Sequence, residues 1–192
     1  MRYGEAKRFI LQKLKKELPQ HLSYHSVEHV KDVLNAAREI GESEGIKGMD
    51  MKLLLTAALF HDTGFLKGPK DHEMESCRIV RRHLPDFGYT PEQIETICGM
   101  VMATRIPQTP HNHLEQILAD ADLDYLGRDD FWKIGNKLFD ELSVYGIIHD
   151  ENEWNKLQVR FLEGHNYFTP TAINTRKAKK DAYLAEIKSK LH

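Results

Sequence analysis

The sequence predicts an all-α protein of about nine helices. Apolar residues recur at helical spacing along almost its whole length, and no run alternates apolar and polar residues between hairpin turns. Proline, glycine, threonine and asparagine fall where helices begin or end. With 192 residues, 41% of them hydrophobic and 29% charged, the chain is long enough for one sizeable core and too apolar to be disordered. One domain over 1–192 is therefore expected.

Ile10, Leu11, Leu14 and Leu18 form a first apolar stripe that stops at Pro19. Val27, Val30, Leu34, Ala37 and Gly41 form a second, ending in the turn around Gly45 and Gly48. From Met51 to Phe60 the chain is apolar on nearly every side, the mark of a helix buried inside a bundle. Asp71 is placed to cap a helix running to about His83. Thr90-Pro91-Glu92-Gln93 combines a capping residue, a first-turn proline and the glutamine of a capping box. Asn112 and Glu115 repeat that pattern for a helix through about Leu126. Phe131, Ile134, Leu138, Leu142 and Tyr145 make another stripe, followed by Trp154, Leu157 and Phe161; Trp132 and Trp154 read as core. Thr169-Pro170 opens the last helix, with Leu184, Ile187 and Leu191 facing inward.

Composition narrows function by exclusion. Lys and Arg number 27 against 29 Asp and Glu, a net charge of −2, so no global basic field invites nucleic acid. Arg176, Lys177, Lys179, Lys180, Lys188 and Lys190 read as the solvated face of a terminal helix. No stretch reaches the roughly 18 apolar residues of a membrane span, and the first residues lack the apolar run of a signal peptide. Cys77 and Cys98, without CxxC spacing, read as buried free thiols. That fits a reducing compartment, so a cytoplasmic protein without a membrane partner is expected. A homo-oligomer is compatible with all of this.

Eleven histidines are the unusual feature, because imidazole is the commonest metal ligand. Three segments set metal-type ligands where a core should be. In Tyr24-His25-Ser26-Val27-Glu28-His29, His25 and His29 share a face if both are helical. Phe60-His61-Asp62-Thr63-Gly64 ends the all-apolar helix on a carboxylate, costly to bury unless paired or bound to a cation. Adjacent helical residues diverge by about 100°, so His61 and Asp62 reach one ion only where the helix ends. Gly64 supplies that ending. The third segment, Ile117 to Asp124, carries Asp120, Asp122 and Asp124 in an otherwise apolar helix. Asp122 lies nearest the stripe of Leu114, Leu118, Ala121 and Tyr125. Taken singly, these are a packed histidine, a helix-end ion pair and a solvated acidic face. Together, two imidazoles and two carboxylates suit a divalent ion (Mn, Fe, Co, Ni, Zn or Mg) and leave positions open for water and substrate.

The order His, His-Asp, Asp at these separations resembles the HD superfamily of metal-dependent phosphohydrolases, over about Tyr24 to Gly127. The likeness extends to the Tyr-His-polar-x-x-His opening, the apolar helix into His-Asp-x-Gly, and Ala-Asp-Leu around the distal Asp. It leaves 128–192 as a helical C-terminal extension. It implies an all-α domain holding one tightly bound metal through His29, His61, Asp62 and Asp122. Asp120 would then orient a ligand imidazole or a bound water. In branches with more than one metal, a His near the start of the next helix binds the second ion, which points to His72, with Glu75 beside it. Met102-Ala103-Thr104 stands where some branches carry a further His pair, so a full second site is not expected. Cyclic-nucleotide phosphodiesterases carry Tyr-His-Asn before the first ligand, and that His is the general acid. Tyr24-His25-Ser26 is similar, with Ser for Asn, which gives His25 a catalytic role beside Asp62.

Lys67 and Lys70, in the loop after His-Asp, and Arg105, in the loop leading to the distal Asp, are candidates to hold substrate phosphate. The expected activity is hydrolysis of a nucleotide-like phosphate ester, a monoester or a diester. Metal-activated water would attack in line while His25 protonates the leaving oxygen. The alternative is a non-catalytic domain that binds metal and nucleotide as a regulator.

Overall fold

The structure is a computed structural model that describes residues 1–191. Among these the chain forms nine α-helices and no strand. The helices are α1 (Tyr3–Glu17), α2 (Val27–Ser43), α3 (Gly48–Phe60), α4 (His72–His83) and α5 (Pro91–Ala103). They continue with α6 (His113–Asp122), α7 (Phe131–Val144), α8 (Glu151–Gly164) and α9 (Pro170–Lys190). Short 3-10 turns follow α3, α4 and α6 at Thr63–Leu66, Leu84–Phe87 and Asp124–Gly127. No helix among the described residues is long and apolar enough to cross a membrane.

Most helix starts follow the capping residues. The Thr90 hydroxyl accepts the Gln93 N–H at 3.3 Å, and the Gln93 side chain accepts the Thr90 N–H at 3.1 Å, a closed capping box. Asn112, Asp150 and Thr169 each accept from the N–H three residues on. Asp71 corrects the expectation. Its backbone is left-handed at φ 51°, its side chain makes no cap bond, and its carboxylate instead pairs with Arg105 at 2.9 Å. A cap needs an extended residue to bring its oxygen over the helix end, which a left-handed one does not do.

Helix α3 is the centre of the first apolar cluster, which α1, α2, α4, α5 and α6 surround. Every residue from Leu53 to Phe60 is buried, as its apolar circumference requires. Leu54, Leu59 and Phe60 are wholly out of water, and truncating one such side chain typically costs about 2–5 kcal/mol. A second cluster joins Tyr24, Leu123, Tyr125, Leu126, Phe131, Leu162 and Ile187, and partly buried side chains of the extension pack around it. The first and third metal-type segments lie where the two clusters adjoin, with Tyr24 packed on His29 at 4.7 Å between ring centres.

The extension is tied down by charges that the sequence left as solvated. Asp120, fully buried, accepts the Phe168 N–H, the Thr169 N–H and the Thr169 hydroxyl at 2.7–2.9 Å, so it anchors the start of α9. Burial nonetheless pushes its pKa up to about 6. Asp124 is held by Arg176 at 2.7 Å, and buried Lys180 donates to the carbonyls of Leu162 and His165. Arg176 and Lys180 therefore dock α9 and do not belong to a solvated basic face. Helix α6 ends at Asp122 and not near Leu126, because the next turn tightens against α9. A Cβ on Gly127 would lie 2.4 Å from the Arg176 carbonyl oxygen.

Gly64 also differs from its expected role. It does not end α3 by a left-handed turn; a Cβ there would lie 1.9 Å from the His72 carbonyl oxygen, and its N–H donates to Ser76 Oγ at 2.8 Å. The residue is glycine so that α4 can close on the turn behind Asp62. Gly64→Ala should therefore lower unfolding stability by about 1–3 kcal/mol or more by overpacking, read by chemical denaturation. Asp120→Ala strands two backbone N–H groups, and a loss of about 1–3 kcal/mol per stranded group is expected. Metal content should not change in that variant, and a loss of metal with intact fold would put Asp120 back at the ion.

Candidate active site

The four expected ligands come together at the ends of three elements. His29 lies in the first turn of α2, which Ser26 caps; His61 and Asp62 follow the last residue of α3; Asp122 is the last residue of α6. His29 Nε2 lies 3.4 Å from His61 Nε2, 3.3 Å from Asp62 Oδ2 and 3.3 Å from Asp122 Oδ1. His61 Nε2 lies 3.2 Å from Asp62 Oδ2 and 3.3 Å from Asp122 Oδ1. Each carboxylate oxygen thus stands 3.2–3.3 Å from both imidazole nitrogens, spacings at which nitrogen and oxygen ligands share a divalent transition ion.

The chemistry of the donor set fits an ion there. Asp62 Oδ2 is buried without a hydrogen-bond partner, which a carboxylate oxygen tolerates only beside positive charge. His61 Nδ1 donates to the Ala58 carbonyl at 2.9 Å, which leaves Nε2 free to ligate. His29, His61 and Asp122 alone already form a group close enough to share an ion. Without one, burial works against charge on every member, yet the pairs outweigh it. Burial lowers the His29 pKa, but Asp122 and Asp62 raise it to about 9. His61 rises in the same way, beside Asp62 and Asp122. Burial raises both carboxyls, but the imidazoles hold Asp62 well below the usual range and Asp122 at about 2.

His25 is not on the helix. It sits in the turn before the Ser26 cap, so helical spacing does not bring it to His29's face; the ring centres are 6.1 Å apart. Its ring stacks on Phe65 at 3.9 Å, and its Nδ1 bonds Glu141 of α7. Glu141 was missed in the sequence, although it occupies the apolar stripe of α7: Ile134, Leu138, Glu141 and Tyr145 follow helical spacing.

His72 opens α4 beside Asp62, with Nε2 3.5 Å from Asp62 Oδ1 and 3.5 Å from Glu73 Oε1. The carboxylate next to it is Glu73, not Glu75. Glu75 pairs with Arg78 on the helix surface, whereas Glu73 is buried on the inward face with Cys77 and Val80. Its i, i+4, i+7 relation to those two residues was the legible signal. Asp120, three bonds deep in the start of α9, does not orient a ligand imidazole.

A cavity of about 280 Å³ opens on this cluster. Asp62, Asp122, His25 and His72 stand at one end, and Phe131, Leu138, Trp154, Leu157 and Phe161 form the far wall. Trp154 thus lines a cavity instead of only filling a core. Among the described residues, no lysine or arginine lines it. Lys67 faces a separate depression beside Lys13 and Glu17, Lys70 is exposed, and Arg105 is paired with Asp71. None of the three candidates for holding phosphate reaches the cavity.

Similar structures share this fold. A predicted HD superfamily hydrolase from an uncultured Thermotogales bacterium is 21% identical, with TM-score 0.62 over 95% of this chain and 89% of its own. Bacillus subtilis YpgQ in complex with ADP is 20% identical, with TM-score 0.67 over 100% of this chain and 97% of its own. A Lactobacillus plantarum protein is 17% identical, with TM-score 0.69 over 98% and 96%. No curated protein matches the sequence. The HD domain family model matches residues 26–124, which hold all four converging ligands. The chain belongs to the HD domain family.

Proposed function

We propose that this chain is a metal-dependent phosphohydrolase that cleaves a nucleotide-like phosphate ester at the centre of His29, His61, Asp62 and Asp122. The carrying observation is the cavity that joins Asp62 and Asp122, the two carboxylates of this centre, to an apolar wall, with His25 beside them. When bound, a divalent ion supplies Lewis acidity towards phosphoryl oxygens and makes a coordinated water acidic. The chain's own residues do the rest. The Ala58 carbonyl holds His61 in its ligating tautomer. His25, partnered through Nδ1, has Nε2 available to protonate a leaving oxygen. Phe131, Trp154 and Phe161 form an apolar surface suited to a flat group such as a nucleobase, and buried Gln158 gives that wall one polar edge. The ADP complex of YpgQ, a neighbour across the whole chain, supports the nucleotide reading.

Turnover separates this reading from a binding domain. With Mn²⁺ and a panel of phosphate esters, product release is expected; a ligand-induced rise in melting temperature without product would leave a metal-dependent nucleotide-binding regulator. Because no lysine or arginine lines the cavity among the described residues, chelation should abolish the nucleotide-induced shift. His61→Ala and Asp62→Ala should each lose the metal, and full occupancy in both would refute the centre.

Metal loading should also be linked to protons. The metal-free site holds protons on His29, with a pKa near 9, and on His61, and ligation removes them. Apparent affinity should therefore fall as pH drops below about 9, by about tenfold per unit for each displaced proton. Calorimetry in buffers of different ionisation enthalpy counts these protons. At pH 7 at least one should be released, and none would show that the imidazoles are already neutral.

A further inference from the structure

Glu141 is the one carboxylate of α7 that is out of water, at 1% exposure, on a stripe otherwise built of apolar side chains. All its side-chain hydrogen bonds go to the segment before α2. Oε2 accepts the backbone N–H of Tyr24 at 2.8 Å and of His25 at 3.0 Å, while Oε1 meets His25 Nδ1. The His25 ring is fixed on its other sides as well, stacked on Phe65 and edge-on to Tyr24 at 4.8 Å. Among the described residues Nε2 has no protein partner, and His25 lines the cavity beside Asp62 and Asp122. Burial by itself raises the Glu141 carboxyl, but the bonds from His25 and the two backbone groups hold it below the usual range.

A carboxylate is costly to bury unless its donors are close, and two backbone N–H groups alone would be met by a neutral amide oxygen. The second oxygen, on an imidazole that faces the cavity, needs a further reason. We propose that Glu141 is a positioning residue for the hydrolytic step, setting the orientation of His25 and keeping a proton on Nδ1, so that a second proton, carried on Nε2, is presented to the leaving oxygen. The proposal rests on the hydrolase reading above. In the step, the phosphorus–oxygen bond to the leaving group breaks as the bond from the attacking water oxygen forms. The leaving oxygen takes the Nε2 proton, and Nδ1 keeps its own, facing the Glu141 carboxylate. The proton released by the attacking water returns to Nε2 through solvent. An imidazole oriented by a carboxylate on its other nitrogen is a recurring acid–base device. Both partners lie outside residues 26–124, so the C-terminal extension supplies part of this device.

The test is a double-mutant cycle in the Mn²⁺-loaded full chain with Glu141→Gln, His25→Ala and the pair, on an alkyl ester and on a nitrophenyl ester. On the alkyl ester E141Q should lower kcat by about 10–100-fold, with KM and metal content little changed. The nitrophenyl ester, whose leaving oxygen hardly needs a proton, should be cleaved at nearly the wild-type rate. On the His25→Ala background E141Q should change nothing further, because Glu141 acts only through His25. Additive losses, or equal losses on both esters, would show a purely structural clamp and overturn the proposal. Nitrogen NMR of the His25 ring is independent of turnover: Nδ1 should carry the proton in the wild type, and E141Q should shift the tautomer towards Nε2–H. If the wild type cleaves no ester, the hydrolase reading fails, and an unchanged tautomer in E141Q separately overturns the positioning role. Should E141Q not fold, Glu141→Asp, which withdraws the charge by one methylene, takes its place in the cycle.

Discussion

Two imidazoles meet each other and two carboxylates at 3.2–3.4 Å, at a place where water hardly reaches. Such a cluster is tolerable only if its charges cancel, since an uncompensated buried charge costs several kcal/mol. Two states satisfy that condition. In one, both imidazoles carry protons opposite two carboxylates; in the other, both are neutral and a divalent ion replaces the two protons. The same side chains are neutral in sum either way, so the fold can form before the ion arrives, and loading becomes an exchange of protons for metal. A monovalent ion would leave the exchange unbalanced.

This condition explains much of the surrounding architecture. Helix α3 is apolar all round and buried, so its end delivers His61 and Asp62 to the inside of the molecule, where a surface helix would deliver them to water. Gly64 then lets α4 approach so closely that His72 and Glu73 stand behind Asp62. The end of α6 and the turn after it carry three aspartates and spread them over three partners. Asp122 faces the imidazoles, Asp120 takes three donors at the start of α9, and Asp124 takes Arg176. Were Asp120 and Asp124 left unpaired beside Asp122, their repulsion would oppose the cluster; distributing them turns the excess into the joint that holds the extension.

The helices and the convergence of four candidate ligands were legible because each rests on local chemistry. Thr90 with Gln93 is a capping box in the sequence and in space, and the Met51–Phe60 run has no polar face to misread. What escaped depends on distant partners. Asp71 looks like a cap until Arg105, 34 residues on, takes its carboxylate. Lys67 and Lys70 stand near the His-Asp pair in the chain yet face away from it, because proximity in a loop says nothing of direction. Glu75 follows His72 closely in the chain but turns outward to Arg78, whereas Cys77 and Val80 already mark Glu73's face as the buried one. Glu141 had the clearest overlooked signal, a charge on an apolar stripe, which physical cost makes rare without a partner.

The division of labour within the chain follows from these placements. The residues matched to the family hold the four candidate ligands, whose spacing an ion would bind by its geometry and leave little room to vary. The cavity's far wall, from Phe131 through Trp154 to Phe161, belongs to α7 and α8, beyond the matched segment. On the proposed reading no lysine or arginine faces the phosphate, so its binding rests mainly on the ion, a feature every such centre shares. Discrimination among esters then falls to the apolar wall and to Gln158, which touch the rest of the substrate. Changes there would alter which ester fits without disturbing the ion. Since α7 also carries Glu141, one helix shapes the wall and holds the acid, and a shift of α7 on binding would move both together.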